Sequence, residues 1–284
     1  RYAAWNDGVA PMHSIADLVV AAGITRVRGD LVADASAFDD SRVPDGWRKK
    51  NLQAGYSARV SALSFNGNIA HVAVRPTHKG AEVTFAQDVS GLDIRSSVTV
   101  RPNARGASIR LWQDTIADLF RVSGWIGSLS PSRTYQVIVE QPERFTTAAF
   151  RAALEARGIV IEGRVRVGEA PVSAQKVTAW ASPPLAQLVA TMNGESNNHF
   201  AELLFRNAAR STGNVGSAAV ANESLQTFLL DRVGVSPEAV FAADGSGLST
   251  LDRVTPRSMV ALLGYTAMAP WGAVLQASLP VAGQ

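Results

Sequence analysis

The chain has 284 residues, 46% of them hydrophobic and 18% charged, with a formal net charge of +3 and no cysteine. This balance excludes a disordered chain, and a charge so small and scattered gives no footing for nucleic-acid binding. The missing thiols exclude disulfides, thiol catalysis and Cys-ligated zinc. His13, His71, His78 and His199 never fall at a metal-ligand spacing such as H-x-x-x-H. No apolar run approaches the roughly 18 residues that span a bilayer. The sequence begins at Arg1 without Met and stops at Gln284 just after an apolar segment. Both ends therefore read as cuts, and the lack of a signal peptide is uninformative.

In chain order, the first predicted element is a helix over Ser14–Ala22, with Ser14 as N-cap and Gly23 just past the end. A strand, Ile24–Ala33, follows. Asp39–Gln53 is polar, holds Pro44, Gly46 and two lysines, and reads as a surface loop whose Trp47 packs its ring back onto the body. From His71 to Ile126 the pattern changes to short alternating runs (His71–Arg75, Glu82–Ala86, Ser97–Arg101, Ser108–Trp112, Phe120–Ile126) separated by glycines and prolines. Evenly spaced short strands with turn residues between them predict a small all-β module. Beyond it come a strand (Arg133–Glu140), an amphipathic helix (Phe145–Arg157) closed by Gly158, and a strand (Ile159–Val167).

The two flanks of the β module echo one another. Each runs helix, Gly-Ile, strand, with a second glycine (Gly29, Gly163) five or six residues on. They are expected to form one α/β domain with the module inserted, although such joints are common enough to recur by chance. Ser182-Pro183-Pro184 opens a mostly helical region with helices at Leu185–Met192, Asn198–Arg210, Ala218–Val233 and Arg257–Met268. Asp244-Gly245-Ser246-Gly247-Leu248-Ser249 reads as a shaped loop.

Four strings in this order carry a resemblance. They are Asn193-Gly194-Glu195-Ser196-Asn197-Asn198 with Ala201-Glu202 behind it, Asp244–Ser249, Arg253-Val254-Thr255-Pro256, and Ser278-Leu279-Pro280-Val281-Ala282-Gly283. Gly29-Asp30-Leu31-Val32, Tyr56 and Ser61–Ser64 extend it upstream. Together they resemble the D-alanyl-D-alanine carboxypeptidase/endopeptidase penicillin-binding proteins with inserted domains. The resemblance covers nearly the whole chain, and the β module is its least specific part.

That resemblance implies a multi-domain α+β fold. Residues 177–284 would be part of a β-lactamase/transpeptidase-like domain, 1–75 and 131–176 the two halves of an inserted α/β domain, and 76–130 the nested all-β module. It implies a serine peptidase of the periplasm or cell exterior that cleaves D-Ala-D-Ala or a D-amino-acid cross-link in peptidoglycan stem peptides. Penicillins and other β-lactams would trap its acyl-serine intermediate, and no cofactor, metal or nucleic acid is involved. The alternative is a non-catalytic peptidoglycan-binding relative. A β-lactamase is disfavoured by the inserted domains.

In the family three motifs meet in one cleft: S-x-x-K, S-x-N and K-T-G. Ser196-Asn197-Asn198 matches the second. A hydroxyl nucleophile needs a base such as a neutral lysine. The Ser196 hydroxyl both donates and accepts and suits a proton relay, while the Asn198 amide suits holding a substrate backbone. Neither residue starts the reaction. Ser196 also has a plain structural assignment as N-cap of the helix that follows it. Glu202 reads as a structural carboxylate, and His199 as a surface or second-layer residue. Ser173-Ala174-Gln175-Lys176 satisfies S-x-x-K literally but lies in a Pro/Ser/Ala connector, where no helix fixes the hydroxyl or desolvates the lysine. Ser211-Thr212-Gly213 is a helix end. The nucleophile and K-T-G motifs are expected before Arg1 and after Gln284. Asp252 stands where the family often has Asn, putting one loop hydrogen bond in doubt.

Overall fold

The computed structural model describes residues 9–281, so Ala282-Gly283 of the last string and the first residues of the chain lie outside the described residues. The backbone divides into two units. The first takes residues up to Ala35 with Gln53–Arg59 and Leu63–Trp180, and the second takes Ser36–Leu52, Val60–Ala62 and the chain from Ala181 onward.

In the first unit, α1 spans Val9–Ala21. Ser14 is not its N-cap: its hydroxyl lies inside the helix and donates to the Ala10 carbonyl at 3.0 Å. The apolar pattern continues upstream through Met12, so the helix starts a turn earlier and Ser14 bonds back onto it. The predicted strands Ile24–Ala33 and Ile159–Val167 are each split in two, β1 (Arg26–Val27) with β2 (Leu31–Ala33), and β9 (Val160–Ile161) with β10 (Val165–Val167). The echoed halves lie side by side, with β1 parallel to β9 and β2 parallel to β10. Between the pairs, a Cβ on Gly163 would sit 2.3 Å from the Gly29 carbonyl oxygen, so the second echoed glycine is where two backbones touch. α2 (Pro142–Glu155) packs on α1, burying Ala16, Val19, Ala153, Leu154 and Ile159 together. Each of the larger side chains contributes roughly 1.5–3 kcal/mol by leaving water.

The rest of this unit is a two-sheet sandwich. One sheet has the order β4-β3-β8 (Gly80–Phe85, Ile69–Thr77, Arg133–Ile138) and the other β5-β7-β6 (Asp93–Arg101, Leu119–Gly127, Ala107–Asp114). Alternation places Val72 and Val74 of β3 against Val122 and Ile126 of β7 in the dry interior. The sandwich takes in Ile69–Ile138, where the sequence reading drew 76–130.

The second unit is helical: α3 (Leu185–Glu195), α4 (Asn198–Arg210), α5 (Ala218–Phe228), α6 (Pro256–Met268) and α7 (Gly272–Ser278), with a two-residue pair of strands, β11 (Val240–Phe241) and β12 (Arg253–Val254). Helix α7 has no counterpart in the sequence reading, because seven residues beginning at Gly272 carry too little periodicity to register. Ser36–Leu52 joins this unit through Arg206, fully buried on α4, whose guanidinium pairs with the Asp39 carboxylate and donates to the Ser41 carbonyl at 2.8 Å. A buried cation is tolerated only with such partners.

Candidate active site

The joint between α3 and α4 carries Ser196. Its backbone is left-handed (φ 52°, ψ 49°), and two reversed hydrogen bonds close the helix end: Ser196 N–H to the Asn193 carbonyl at 3.4 Å and Asn197 N–H to the Met192 carbonyl at 2.8 Å. This is the geometry at which helices usually place glycine. A serine there costs about 1–2 kcal/mol of backbone strain, and strain of this kind gathers at functional sites. The N-cap of α4 is Asn197, whose Oδ1 accepts the Phe200 N–H at 3.0 Å. The capping assignment of Ser196 is therefore corrected by one residue, and the Ser196 hydroxyl is left exposed rather than spent on the helix.

Asn198 is the first residue of α4. Ser196, Asn197, Asn198 and Ala201 form one side of an open pocket of about 240 Å³. Met192 and Asn193 of α3, Gly245 and Ser246 of the Gly-rich loop, and Leu279-Pro280 complete its lining. Three of the four sequence strings thus converge on one cavity. Asn193 explains part of this: its Nδ2 donates to the buried Ser278 hydroxyl at 2.7 Å, tying α3 to the end of α7 and so to Leu279-Pro280.

The opposite wall is held by carboxylates. Glu202, one turn beyond Asn198, is fully buried, and its Oε1 accepts the N–H groups of Gly245 and Ser246, both at 3.0 Å. The loop presses so closely on α4 that a Cβ on Gly245 would lie 2.5 Å from Phe205 Cβ. Asp244 organises the rest. It accepts Gly247 N–H and Ser249 N–H, each at 2.7 Å, the Ser246 hydroxyl at 3.1 Å, and the indole N–H of Trp47 at 2.7 Å. Asp252 does make its loop hydrogen bond, accepting Ala243 N–H at 2.8 Å, but burial and the charge of Asp244 hold its carboxyl above the usual range.

Burial pushes Glu202 up to about 7, with the nearby Asp244 charge adding and bonds from Ser246 and Gly245 opposing. His199 is half-buried, but both its ring nitrogens are shut away without a hydrogen-bond partner among the described residues, and burial takes it down to about 4. Of the two positions the sequence left open for His199, surface or second layer, the enclosed ring nitrogens favour the second, because its place at the start of α4 turns the ring inward. Among the described residues no lysine lines the pocket. Lys176 lies in irregular, exposed chain after Ser173, and Ser211-Thr212-Gly213 closes α4.

The chain belongs to the D-Ala-D-Ala carboxypeptidase 3 (S13) family, whose profile matches residues 8–284. It is 30% identical to a D-alanyl-D-alanine carboxypeptidase of Actinomadura sp. (strain R39), over 96% of this chain and 53% of that one. It is 24% identical to the D-alanyl-D-alanine carboxypeptidase DacB of Haemophilus influenzae, over 92% and 55% respectively. The fold matches the crystal structure of penicillin binding protein 4 from Haemophilus influenzae with a TM-score of 0.77 at 22% identity, covering 96% of this chain and 61% of that one. The chain spans about half the length of the curated relatives it matches.

Proposed function

We propose that the protein to which this chain belongs is a serine-type D-Ala-D-Ala carboxypeptidase or endopeptidase acting on peptidoglycan stem peptides outside the cytoplasmic membrane. The observation that carries this is the convergence of Ser196 and Asn198 with the Gly245–Ser246 loop and Leu279-Pro280 on one pocket, in a chain of the S13 family. Ser196 relays a proton between the activating lysine and the leaving amine, and Asn198 orients the substrate backbone. The nucleophilic serine with its lysine, and the K-T-G wall, come from parts of the protein outside this chain. Residues 177–284 belong to the penicillin-binding domain, and the inserted α/β domain carries the all-β module. β-Lactams are its covalent inhibitors.

The test is intact-mass analysis after exposure to benzylpenicillin. The full-length protein acquires one penicilloyl group, and Ser196→Ala or Asn198→Ala slows acylation by roughly 10²–10³-fold, as loss of one proton-transfer or positioning group does. The present chain alone acquires none. An adduct on Ser173, or full-rate acylation of both variants, sinks the reading. A full-length protein that binds muropeptide without acylation would be the non-catalytic relative instead.

A further inference from the structure

The outer face of the β5-β7-β6 sheet is built differently from an ordinary solvated surface. Strand alternation sends Ile94, Val98 and Val100 of β5, and Ile109 and Leu111 of β6, to the interior. The intervening residues point out. The register then aligns them in rows. Arg95, Arg121 and Trp112 lie side by side across the three strands. Two residues further, Arg110 lies opposite Ser123, and beyond it comes Trp125, with the Arg101 guanidinium 3.9 Å from its ring centroid. From Arg95 to Arg101 this strip runs about 20 Å, at about 3.3 Å per strand residue.

Solvated sheet faces normally intersperse both charge signs. Here four arginines meet two acids, Asp93 at the end of β5 and the ion-paired Asp114, which accepts from Arg121 at 2.6 Å. Arg95 and Arg110 make no ion pair among the described residues. Trp112 is 43% exposed, a large apolar ring left open beside them. The arginine forks match carboxylate or phosphate oxygens in paired hydrogen bonds. An exposed indole offers a flat, electron-rich face, and the axial C–H groups of a sugar ring are its natural partner, being apolar and weakly positive.

We propose that this sheet face is a binding site for an acidic polysaccharide, a polymer that presents sugar faces and carboxylate or phosphate groups in alternation. Trp112 stacks on a ring, Arg95 and Arg110 take the anionic groups on either side, and Arg101 on Trp125 bounds the strip. This stands independently of the S13 pocket, and its failure leaves the proposed activity untouched.

The experiment is calorimetric titration of the whole chain with a hyaluronate octasaccharide, which alternates a uronate with an N-acetylated sugar. Binding is expected that weakens as salt rises. Arg95→Gln with Arg110→Gln should weaken it at least tenfold, and Trp112→Ala by a similar factor, with thermal unfolding of each variant unchanged. Neutral chitohexaose should bind at least tenfold more weakly, and a DNA duplex should be insensitive to Trp112→Ala. No binding of the octasaccharide, equal binding of the neutral sugar, or affinity unmoved by the folded variants would overturn the proposal. So would DNA binding with the same Trp112 dependence, which would mark a nucleic-acid surface.

Discussion

At the scale of single residues, Ser196 separates two demands that usually coincide. Its left-handed backbone is better served by glycine, whereas a relay needs its hydroxyl. Ser196→Gly is therefore expected to stabilise the chain by about 1 kcal/mol in urea denaturation while slowing acylation of the full-length protein. Were Ser196 a structural cap, the same change would destabilise.

Glu202 and His199 make opposite demands on pH. The folded Glu202 carboxyl, at about 7, lies above the ordinary glutamate value of 4.5, so its contribution is complete below about pH 4.5 and is lost as pH rises through 7. The folded His199, at about 4, lies below 6.5, so its contribution is complete above pH 6.5 and is lost as pH falls toward 4. Between about pH 4.5 and 6.5 the two slopes cancel, and stability should be nearly flat. Glu202→Gln retains an acceptor for Gly245 and Ser246 and removes one slope. Its stability should rise from pH 4.5 to 6.5 and exceed that of the parent chain above pH 7, by about 2–3 kcal/mol. A variant with the same flat profile would show that Glu202 carries no proton near neutrality.

At the scale of elements, the Asp244–Ser249 loop is a wall made of backbone. Its N–H groups turn inward to Asp244 and Glu202, so its shape depends on two buried carboxyls and on Gly245 lacking a Cβ. The Asp252 carboxyl is raised by burial first, and the nearby Asp244 charge adds to it. Asp252→Asn keeps an acceptor for Ala243 N–H and removes that repulsion. It should stabilise the chain at pH 8 by about 1 kcal/mol, and the gain should shrink at pH 4, where the raised carboxyl carries more of its proton than at pH 8. Equal gains at both values would point to a cause other than charge.

At the scale of the whole molecule, α6 and α7 leave Met259, Val260, Leu263, Met268 and Val274 exposed. Apolar surface grouped in this way drives association or is covered by further structure. The present chain is expected to bind anilinonaphthalene sulfonate and to self-associate at micromolar concentration by light scattering. Val260→Glu with Leu263→Glu should lower both, and a monomer without dye binding would refute this. Among the described residues no single helix is long and apolar enough to cross a membrane.

Much of this was legible in the sequence, wherever a local rule was strong. The β runs, the helix Asn198–Arg210 and the echoed helix–strand joints depend on periodicity and turn chemistry, which act over a few residues. The strings around Ser196, Gly245 and Ser278 announced a family. Only the tertiary structure decided which residues share a wall. Asn197 rather than Ser196 caps α4 because the left-handed turn at Ser196 delays the helix by one residue. Glu202 is buried and the ring nitrogens of His199 are enclosed because α4 turns both side chains inward, which no residue type declares. Arg95, Arg121 and Trp112 form one row because strand register brings together positions far apart in the chain, and register is a property of the packed sheet.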